Sequence, residues 1–189
     1  MRVLILGPQG SGKGTQAKRI ADLYGAPHVA TGDILRAAVS EGAALGLRVQ
    51  PILDRGDLVP DELMVDLIRE RLAEEERFVL DGFPRTVPQA EELDAMLDGI
   101  EKPLDLVLLL QVSDEVATTR LLARAAAEGR ADDSPDAIRN RLQLYHELTE
   151  PVVERYRASG ILVVVDGDRA IGEVAGTIEE ALAQVGARS

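Results

Sequence analysis

The sequence of 189 residues contains no cysteine, which excludes a disulfide framework, a thiolate nucleophile and a zinc site built on cysteine. This absence is typical of a reducing compartment, and we expect a cytoplasmic protein. Apolar runs such as residues 3–6 and 106–110 have the length of strands. A membrane span needs roughly 20 apolar residues, so no membrane segment is predicted. No signal-peptide core follows Met1.

Basic residues are scarce, with 21 Lys and Arg against 33 Asp and Glu, and the net charge is −12. This balance argues against nucleic acid or an anionic membrane as the main partner. His28 and His146 are the only histidines and lie in no motif, so we interpret them as structural. The only asparagine, Asn140, precedes Arg-Leu-Gln, which excludes the guanine-reading Asn-Lys-x-Asp motif of GTPases.

Short apolar runs alternate with longer segments of helical period, and the hydrophobic fraction of 46% is sufficient for a core. This alternation predicts an α/β fold with a parallel sheet that binds ligands at the carboxyl ends of its strands. Residues 31–60 and 128–134 interrupt the pattern, and we expect both to be mobile. We expect residues 31–60 to form short helical pieces that are broken at Gly42, Gly46, Pro51 and Gly56. Strands are predicted at 3–6, 28–30, 78–80, 106–111 and 161–165, and helices at 13–23, 61–72, 87–97, 115–127, 135–157 and 172–185.

A glycine-rich loop follows the first strand and leads directly into a helix. It reads Gly7-Pro8-Gln9-Gly10-Ser11-Gly12-Lys13-Gly14-Thr15, which matches the Walker A spacing except that Gly14 stands where Ser or Thr usually binds magnesium. Backbone N–H groups, the helix N-terminus and one lysine would together hold a polyphosphate. A turn that binds nothing and a dinucleotide-binding GxGxxG loop are the alternatives, and both fit the spacing less well.

Several further segments, in order, resemble those of adenylate kinase and of the nucleoside monophosphate kinases in general. They are Thr-Gly-Asp-Ile-Leu-Arg at 31–36, Gly-Asp-Leu-Val-Pro at 56–60, Asp-Gly-Phe-Pro-Arg-Thr at 81–86, and Gly-Arg-Ala-Asp-Asp at 129–133. The resemblance extends along essentially the whole chain. The usual loop of the family has proline one place later than Pro8, with no expected loss of binding.

The resemblance implies a P-loop three-layer sandwich of one domain, residues 1–189, with a five-stranded parallel sheet. Residues 30–59 would be a helical insertion that binds the nucleoside monophosphate, and residues 123–133 a short lid without zinc. The implied activity is reversible, Mg²⁺-dependent transfer of the terminal phosphoryl group of ATP to AMP, giving two ADP. The partners would be these nucleotides alone, and the implied oligomeric state is a monomer.

The resemblance, together with the need for cations around the phosphates, also assigns site residues. Arginine suits this role because its planar fork binds two phosphate oxygens, although any single arginine could equally be a surface charge. The catalytic residues would be Lys13, Arg85, Arg124, Arg130 and Arg141. The ATP site would comprise Gly10, Ser11, Gly12, Lys13, Gly14, Thr15, Arg120, Arg124 and Arg169. The AMP site would comprise Thr31, Arg36, Asp57, Leu58, Val59, Gly82, Phe83, Pro84, Arg85, Gln89, Arg130 and Arg141.

Asp81 ends the third predicted strand and would hold Mg²⁺, through water or directly. The alternative is an N-cap for the helix after Pro84, and a similar choice applies to Asp33. No general base is needed, because the attacking phosphate oxygen is already ionised.

Thr31 and Gln89 go with adenine in the acceptor site of the family. An acceptor preference for pyrimidines, or a broad one, is the nearest alternative. A regulatory ATP-binding module, which would need neither Arg85 nor the lid arginines, is the alternative outside the enzymes.

Overall fold

The computed structural model describes residues 1–128 and 133–186. It contains a five-stranded sheet with the order β2-β3-β1-β4-β5, in which every pair of neighbours is parallel. The strands are β1 (Arg2–Leu6), β2 (His28–Ala30), β3 (Phe78–Asp81), β4 (Leu106–Gln111) and β5 (Leu162–Asp166). All five predicted strands are therefore present. β1 and β3 are each one residue longer than predicted, and β5 is shifted by one residue toward the C-terminus.

The helices of the described residues are α1 (Lys13–Tyr24), α2 (Thr31–Ser40), α3 (Ala44–Arg55), α4 (Asp61–Leu72), α5 (Val87–Gly99), α6 (Asp114–Glu128), α7 (Pro135–Leu144), α8 (Glu150–Ala158) and α9 (Ile171–Gly186). No helix in the described ranges is long and apolar enough to cross a membrane. The predicted polar interruption after α6 includes residues 129–132, which lie outside the described residues.

Both faces of the sheet are covered by helices, because alternate residues of its apolar strands point to opposite faces. Leu4 of β1 packs in a cluster with α4, α5 and α8, whereas its neighbour Ile5 packs with α1 and α9. A smaller cluster joins α6 and α7 through Leu121 and Ile138. The predicted three-layer α/β sandwich with a parallel sheet is confirmed.

The segment between β2 and α4 folds into α2 and α3 and differs from the prediction at two positions. Gly42 and Gly56 end these helices with φ of 66° and 74°, as expected for breaks. Gly46 and Pro51, in contrast, lie inside α3, so their prediction as breaks was wrong. A Cβ atom on Gly46 would lie 2.1 Å from Ala38 O, so this glycine allows α3 to pack closely on α2.

The single helix predicted over 135–157 is also corrected. α7 ends at Leu144, a π-helical turn covers Tyr145–Thr149, and α8 begins at Glu150. Pro151 has no N–H and cannot continue the hydrogen-bond ladder of a preceding helix, which explains a change of register at this point. The hydroxyl of Thr149 at the end of the turn donates to Arg85 O over 2.9 Å.

Candidate active site

A cleft of about 1040 Å³ lies at the carboxyl ends of the strands. Its walls are formed by the loop after β1, the end of β3, helices α2, α6 and α7, and the segment between β5 and α9. This is the edge at which a doubly covered parallel sheet binds its ligands.

The loop after β1 forms one wall, and two of its glycines are required for its conformation. Gly10 and Gly12 have φ of 83° and 93°, which only glycine adopts readily. A Cβ atom on Gly10 would also lie 2.5 Å from Ala117 O of α6. Gly12 is the N-cap of α1 and has no side chain to cap the first N–H groups of the helix, so these donors suit an anion.

Lys13 begins α1, and its ammonium group bends back over the loop. Nζ donates to Gly7 O and to Pro8 O, each over 2.7 Å. Burial lowers the pKa of Lys13 to about 8, with Arg85 and Arg124 acting in the same direction and Asp81 opposing them. A bound polyphosphate would add negative charge beside this partly buried cation.

Arg85 follows β3 after the cis peptide Phe83–Pro84. Its Nε donates to Gly82 O over 2.8 Å. Burial, together with the nearby cations Arg141 and Arg36, lowers the pKa of Arg85 to about 10, while Asp81 opposes this shift. The guanidinium is therefore held in the cleft among other cations, an arrangement that favours an anionic ligand.

Asp133 joins two of the predicted catalytic arginines. Its buried carboxylate accepts from Nε and Nη2 of Arg124 over 2.8 and 2.9 Å, and from Nη1 of Arg141 over 2.8 Å. Asp133 is not among the site residues predicted from the sequence. Its only signal was its position at the end of the segment that resembles a lid. By accepting from both arginines it orients them toward the cleft.

The remaining predicted arginines take separate positions. Arg36 lines the cleft and forms an ion pair with Asp33. Asp33 lies in the first turn of α2, and Ala30 is the N-cap of that helix, so the alternative role of Asp33 as a cap does not apply. Arg120 donates from Nη1 to Gly167 O over 2.9 Å. The exposed Arg169 lines the cleft and pairs with Asp166 over 3.0 Å. Arg130 lies outside the described residues.

Asp81 lies at the end of β3 and faces the glycine loop. Its Oδ2 atom would be 3.5 Å from a Cβ atom on Gly14 and is 3.9 Å from Nε2 of His28. The N-cap of α5 is Thr86, whose hydroxyl accepts from the backbone N–H of Gln89, so the alternative role of Asp81 as a cap does not apply. His28, interpreted from the sequence as structural, lines the cleft beside this carboxylate.

The predicted acceptor pocket is lined by residues of three segments. Thr31 is buried, and its hydroxyl donates to Asp81 O over 3.4 Å. Gln89 is 2% exposed; its Oε1 accepts from Arg85 N, and its Nε2 donates to Asp61 Oδ1, each over 2.7 Å. Asp61 is not among the site residues predicted from the sequence. The other predicted residues that line this part of the cleft are Asp57, Leu58, Val59, Gly82, Phe83 and Pro84.

Asp57 connects this pocket to α7. Its carboxylate accepts from Arg55 Nε over 2.7 Å and from Asn140 Nδ2 over 2.8 Å. Hydrogen bonds from Arg55 and then from Asn140 lower the pKa of Asp57. Asn140 Nδ2 also donates to Arg55 O over 3.0 Å, so the end of α3 is tied to α7, which carries Arg141.

The acidic side chains of the cleft fit a magnesium ion that is held mainly by a nucleotide. Within residues 1–128 and 133–186, no group of three or more His, Asp or Glu side chains could hold a metal. Mg²⁺ normally keeps several waters and uses one or two carboxylates with substrate phosphates. Asp81, which faces Gly14, and Thr15, which ends the glycine loop, both line the cleft and would supply such donors.

Comparison with known proteins identifies the family. The sequence model of the adenylate kinase family matches residues 5–161. This chain belongs to the adenylate kinase family. The adenylate kinase of Methanosarcina acetivorans is 42% identical over an alignment of 213 positions, gaps included, that covers 97% of this chain and 99% of that protein. The adenylate kinases of Xanthomonas campestris pv. campestris and Xanthomonas euvesicatoria pv. vesicatoria are each 46% identical over 185 residues, covering 96% of this chain and 99% of theirs.

Membership in the adenylate kinase family confirms the resemblance found in the sequence and the prediction of a phosphotransferase. The names of these relatives do not favour the alternative of a pyrimidine kinase. The family match includes the glycine loop, the Asp81–Arg85 region and α7. Most of the residues that line the cleft therefore lie within the matched range.

Proposed function

We propose that the chain is an ATP:AMP phosphotransferase that transfers the terminal phosphoryl group of ATP directly to AMP and reverses this reaction. The observation that carries the proposal is the position of Arg85, partly buried in the cleft that is also lined by the glycine loop and by Thr31 and Gln89. Family membership supports the same activity. One cleft thus offers a polyphosphate site and a base pocket, with cations between them.

In this proposal ATP binds through Lys13 and the backbone N–H groups of the glycine loop, and its adenine lies toward Arg120 and Arg169. The full set for the donor is Gly10, Ser11, Gly12, Lys13, Gly14, Thr15, Arg120, Arg124 and Arg169. AMP binds with its phosphate on arginine forks and its base beside Thr31 and Gln89. The full set for the acceptor is Thr31, Arg36, Asp57, Leu58, Val59, Gly82, Phe83, Pro84, Arg85, Gln89, Arg130 and Arg141.

Catalysis in this proposal depends on position and charge. The attacking oxygen of AMP is already ionised, so no side chain removes a proton from it. Lys13, Arg85, Arg124, Arg130 and Arg141 hold the two phosphate chains in line and stabilise charge on the transferred group. Asp81 and Thr15 would hold Mg²⁺, mainly through water, and a bound Mg²⁺ neutralises donor phosphate oxygens.

Water competes with AMP as the nucleophile, so the cleft must close before transfer. We assign residues 30–59 to a monophosphate-binding insertion and residues 123–133 to a short lid. The insertion corresponds to α2, α3 and the segment up to Val59, and its contact with α7 through Asp57 and Asn140 supports this assignment. The remaining assignments, a cytoplasmic monomer whose partners are nucleotides alone, come from the sequence analysis.

A two-substrate assay tests the proposal. Purified protein with Mg-ATP should form ADP rapidly only when AMP is added, and two ADP should appear for each AMP consumed. Among AMP, CMP, UMP and GMP we expect the highest kcat/KM for AMP. ADP formation that is independent of AMP, or a preference for UMP or CMP, would contradict this function.

A further inference from the structure

The carboxamide of Gln89 has a fixed orientation, and we infer that Asp61 helps to impose it and thereby strengthens the selection of a 6-amino purine over a 6-oxo purine in the acceptor site. This inference rests on the proposed position of the acceptor base beside Gln89. Asp61 begins α4 and Gln89 lies in the first turn of α5, so the contact joins two helices that pack on the same face of the sheet.

Two partners of opposite type hold the carboxamide. Asp61 Oδ1 accepts from Gln89 Nε2 over 2.7 Å, and Arg85 N donates to Gln89 Oε1 over 2.7 Å. A carboxylate can only accept and a backbone N–H can only donate, so the chemistry of the partners itself decides which end of the amide is nitrogen. The flipped amide would place oxygen against carboxylate and N–H against N–H.

The carboxylate of Asp61 is itself held in place. Its Oδ2 atom accepts from the hydroxyl of Thr86 over 2.8 Å, and this hydroxyl in turn accepts from the backbone N–H of Gln89. Thr86 is the N-cap of α5, so the start of that helix fixes both ends of the contact. Asp61 therefore cannot swing away from Gln89 without leaving the Thr86 hydroxyl without its acceptor.

The fixed amide leaves one donor and one acceptor for a ligand. A carboxamide has two N–H groups and two acceptor lone pairs, and the two contacts to Asp61 and Arg85 use one of each. Gln89 lines the cleft, and the unused pair complements the N6 amino group and the adjacent ring nitrogen of adenine. A 6-oxo purine has an acceptor at position 6 and would meet the amide oxygen with its own oxygen.

Asparagine at position 61 would weaken this selection, because its side chain carries both a donor and an acceptor and can pair with either orientation of Gln89, which leaves Arg85 N–H as the one remaining contact that favours the original orientation. Asp61 is thus a positioning residue that acts through Gln89 and does not touch the substrate. A carboxylate can only accept hydrogen bonds, and this property makes Asp61 favour the same orientation of the amide as Arg85 N–H does.

The test compares AMP with inosine 5′-monophosphate, a 6-oxo purine, as acceptors for Mg-ATP. In Asp61→Asn we expect the ratio of kcat/KM for AMP to that for inosine monophosphate to fall about tenfold or more. The change should appear mainly in the KM of the acceptor, with the KM of ATP unaltered. Asp61→Ala, which removes the acceptor of the Gln89 amide, should shift the ratio in the same direction. Circular dichroism of each variant checks that it is folded.

Two further variants separate positioning from general damage. Asp66→Asn changes the same charge on the same helix at a side chain that is 74% exposed and pairs with Arg69, and it should leave the ratio unchanged. In Gln89→Met, which has no amide to orient, adding Asp61→Asn should change the ratio no further. An unchanged ratio in folded Asp61→Asn, or an equal loss of kcat/KM for both acceptors, would overturn this inference and leave the proposed function standing. A wild-type protein that does not prefer AMP would overturn the proposed acceptor site and this inference with it.

Discussion

At Arg85, burial and neighbouring cations both disfavour the positive charge of the guanidinium. Its guanidinium lies in the cleft beside the cations Arg141 and Arg36, whereas Asp81 opposes the shift in its pKa. We expect Arg85→Ala to lower kcat about 10³-fold, the effect of losing a cation that stabilises a transferring phosphoryl group. Steady-state ADP formation measures this loss, and thermal unfolding should show that the variant remains folded.

The matched control is Arg71→Ala, because Arg71 is an exposed arginine in the last turn of α4. Its removal should change kcat by less than about twofold, since isolated surface charges contribute little. Equal rates for the wild type and Arg85→Ala would place the reacting phosphates elsewhere.

The sequence identifies residues of the site wherever a local motif carries the chemistry. Lys13 and Arg85 belong to such motifs, since each stands in a short run of glycine and proline beside a strand. Asp133 stands at the end of a resembling segment and Asp61 in none, and the local sequence shows the role of neither. Their roles depend on Arg141 of α7 and on Gln89 of α5, and only the packing of helices brings these partners together.

At the level of secondary structure, the crossing of α2 and α3 depends on Gly46. A Cβ atom there would lie 2.1 Å from Ala38 O, a backbone atom that cannot move alone. We therefore expect Gly46→Ala to destabilise the protein by about 1–3 kcal/mol, as overpacking does. Because both helices belong to the proposed insertion, the KM for AMP should rise more than the KM for ATP. Urea unfolding and steady-state kinetics measure the two effects.

Gly176→Ala is the control for this substitution. Gly176 lies within α9, where an added Cβ atom would meet nothing within 4 Å. Alanine there should be neutral or stabilise the protein by about 0.5–1 kcal/mol, because alanine favours the helix. If Gly46→Ala were as stable as Gly176→Ala, the close contact between α2 and α3 would not exist in solution. The sequence predicted a break at Gly46 because glycine permits breaks and close contacts alike.

The π-helical turn after α7 contains His146, which joins α6 to α8. Nδ1 lies 2.7 Å from Glu150 Oε1 and Nε2 lies 3.0 Å from Asp114 Oδ1, while the ring of Tyr145 packs edge-on at 5.5 Å. The hydrogen bond to Glu150, and then that to Asp114, raises the pKa of His146 above 6.5. Protonated His146 therefore stabilises the fold below the unfolded pKa, and this contribution is lost as the pH rises through the folded pKa.

This sign gives a prediction for His146→Gln. The midpoint of thermal unfolding should be lower than that of the wild type at about pH 6, and the difference should disappear by about pH 9. Differential scanning calorimetry at a series of pH values measures the difference. A difference that does not change with pH would show that His146 acts through packing alone.

At the level of the whole molecule, the architecture could be predicted because apolar strands and amphipathic helices alternate along the chain. A parallel sheet that is buried on both faces follows from that order, and it places the cleft at the carboxyl ends of β1 and β3. The register change at Pro151 could not be predicted from apolar periodicity, which continues through the π-helical turn. The net charge of −12 likewise gave no sign that cations converge in the cleft.

The cleft as a whole predicts the binding of a bisubstrate mimic in which two adenosines are joined by a chain of phosphates. Such a ligand would occupy the glycine loop and the Thr31–Gln89 pocket together, so it should bind more tightly than ATP or AMP alone. At about 100 times its Kd it should stabilise the fold by about 2.7 kcal/mol and raise the melting temperature by roughly 5 to 10 °C.

Substitutions at both ends of the cleft show whether one ligand spans it. Lys13→Met removes the cation of the donor loop, and Gln89→Met removes the amide of the acceptor pocket. At the same ligand concentration, each should reduce the increase in melting temperature, because the mimic loses contacts at one end only. If Lys13→Met abolished the increase and Gln89→Met had no effect, the mimic would bind as a simple ATP analogue. Two nucleotides would then not meet in this cleft.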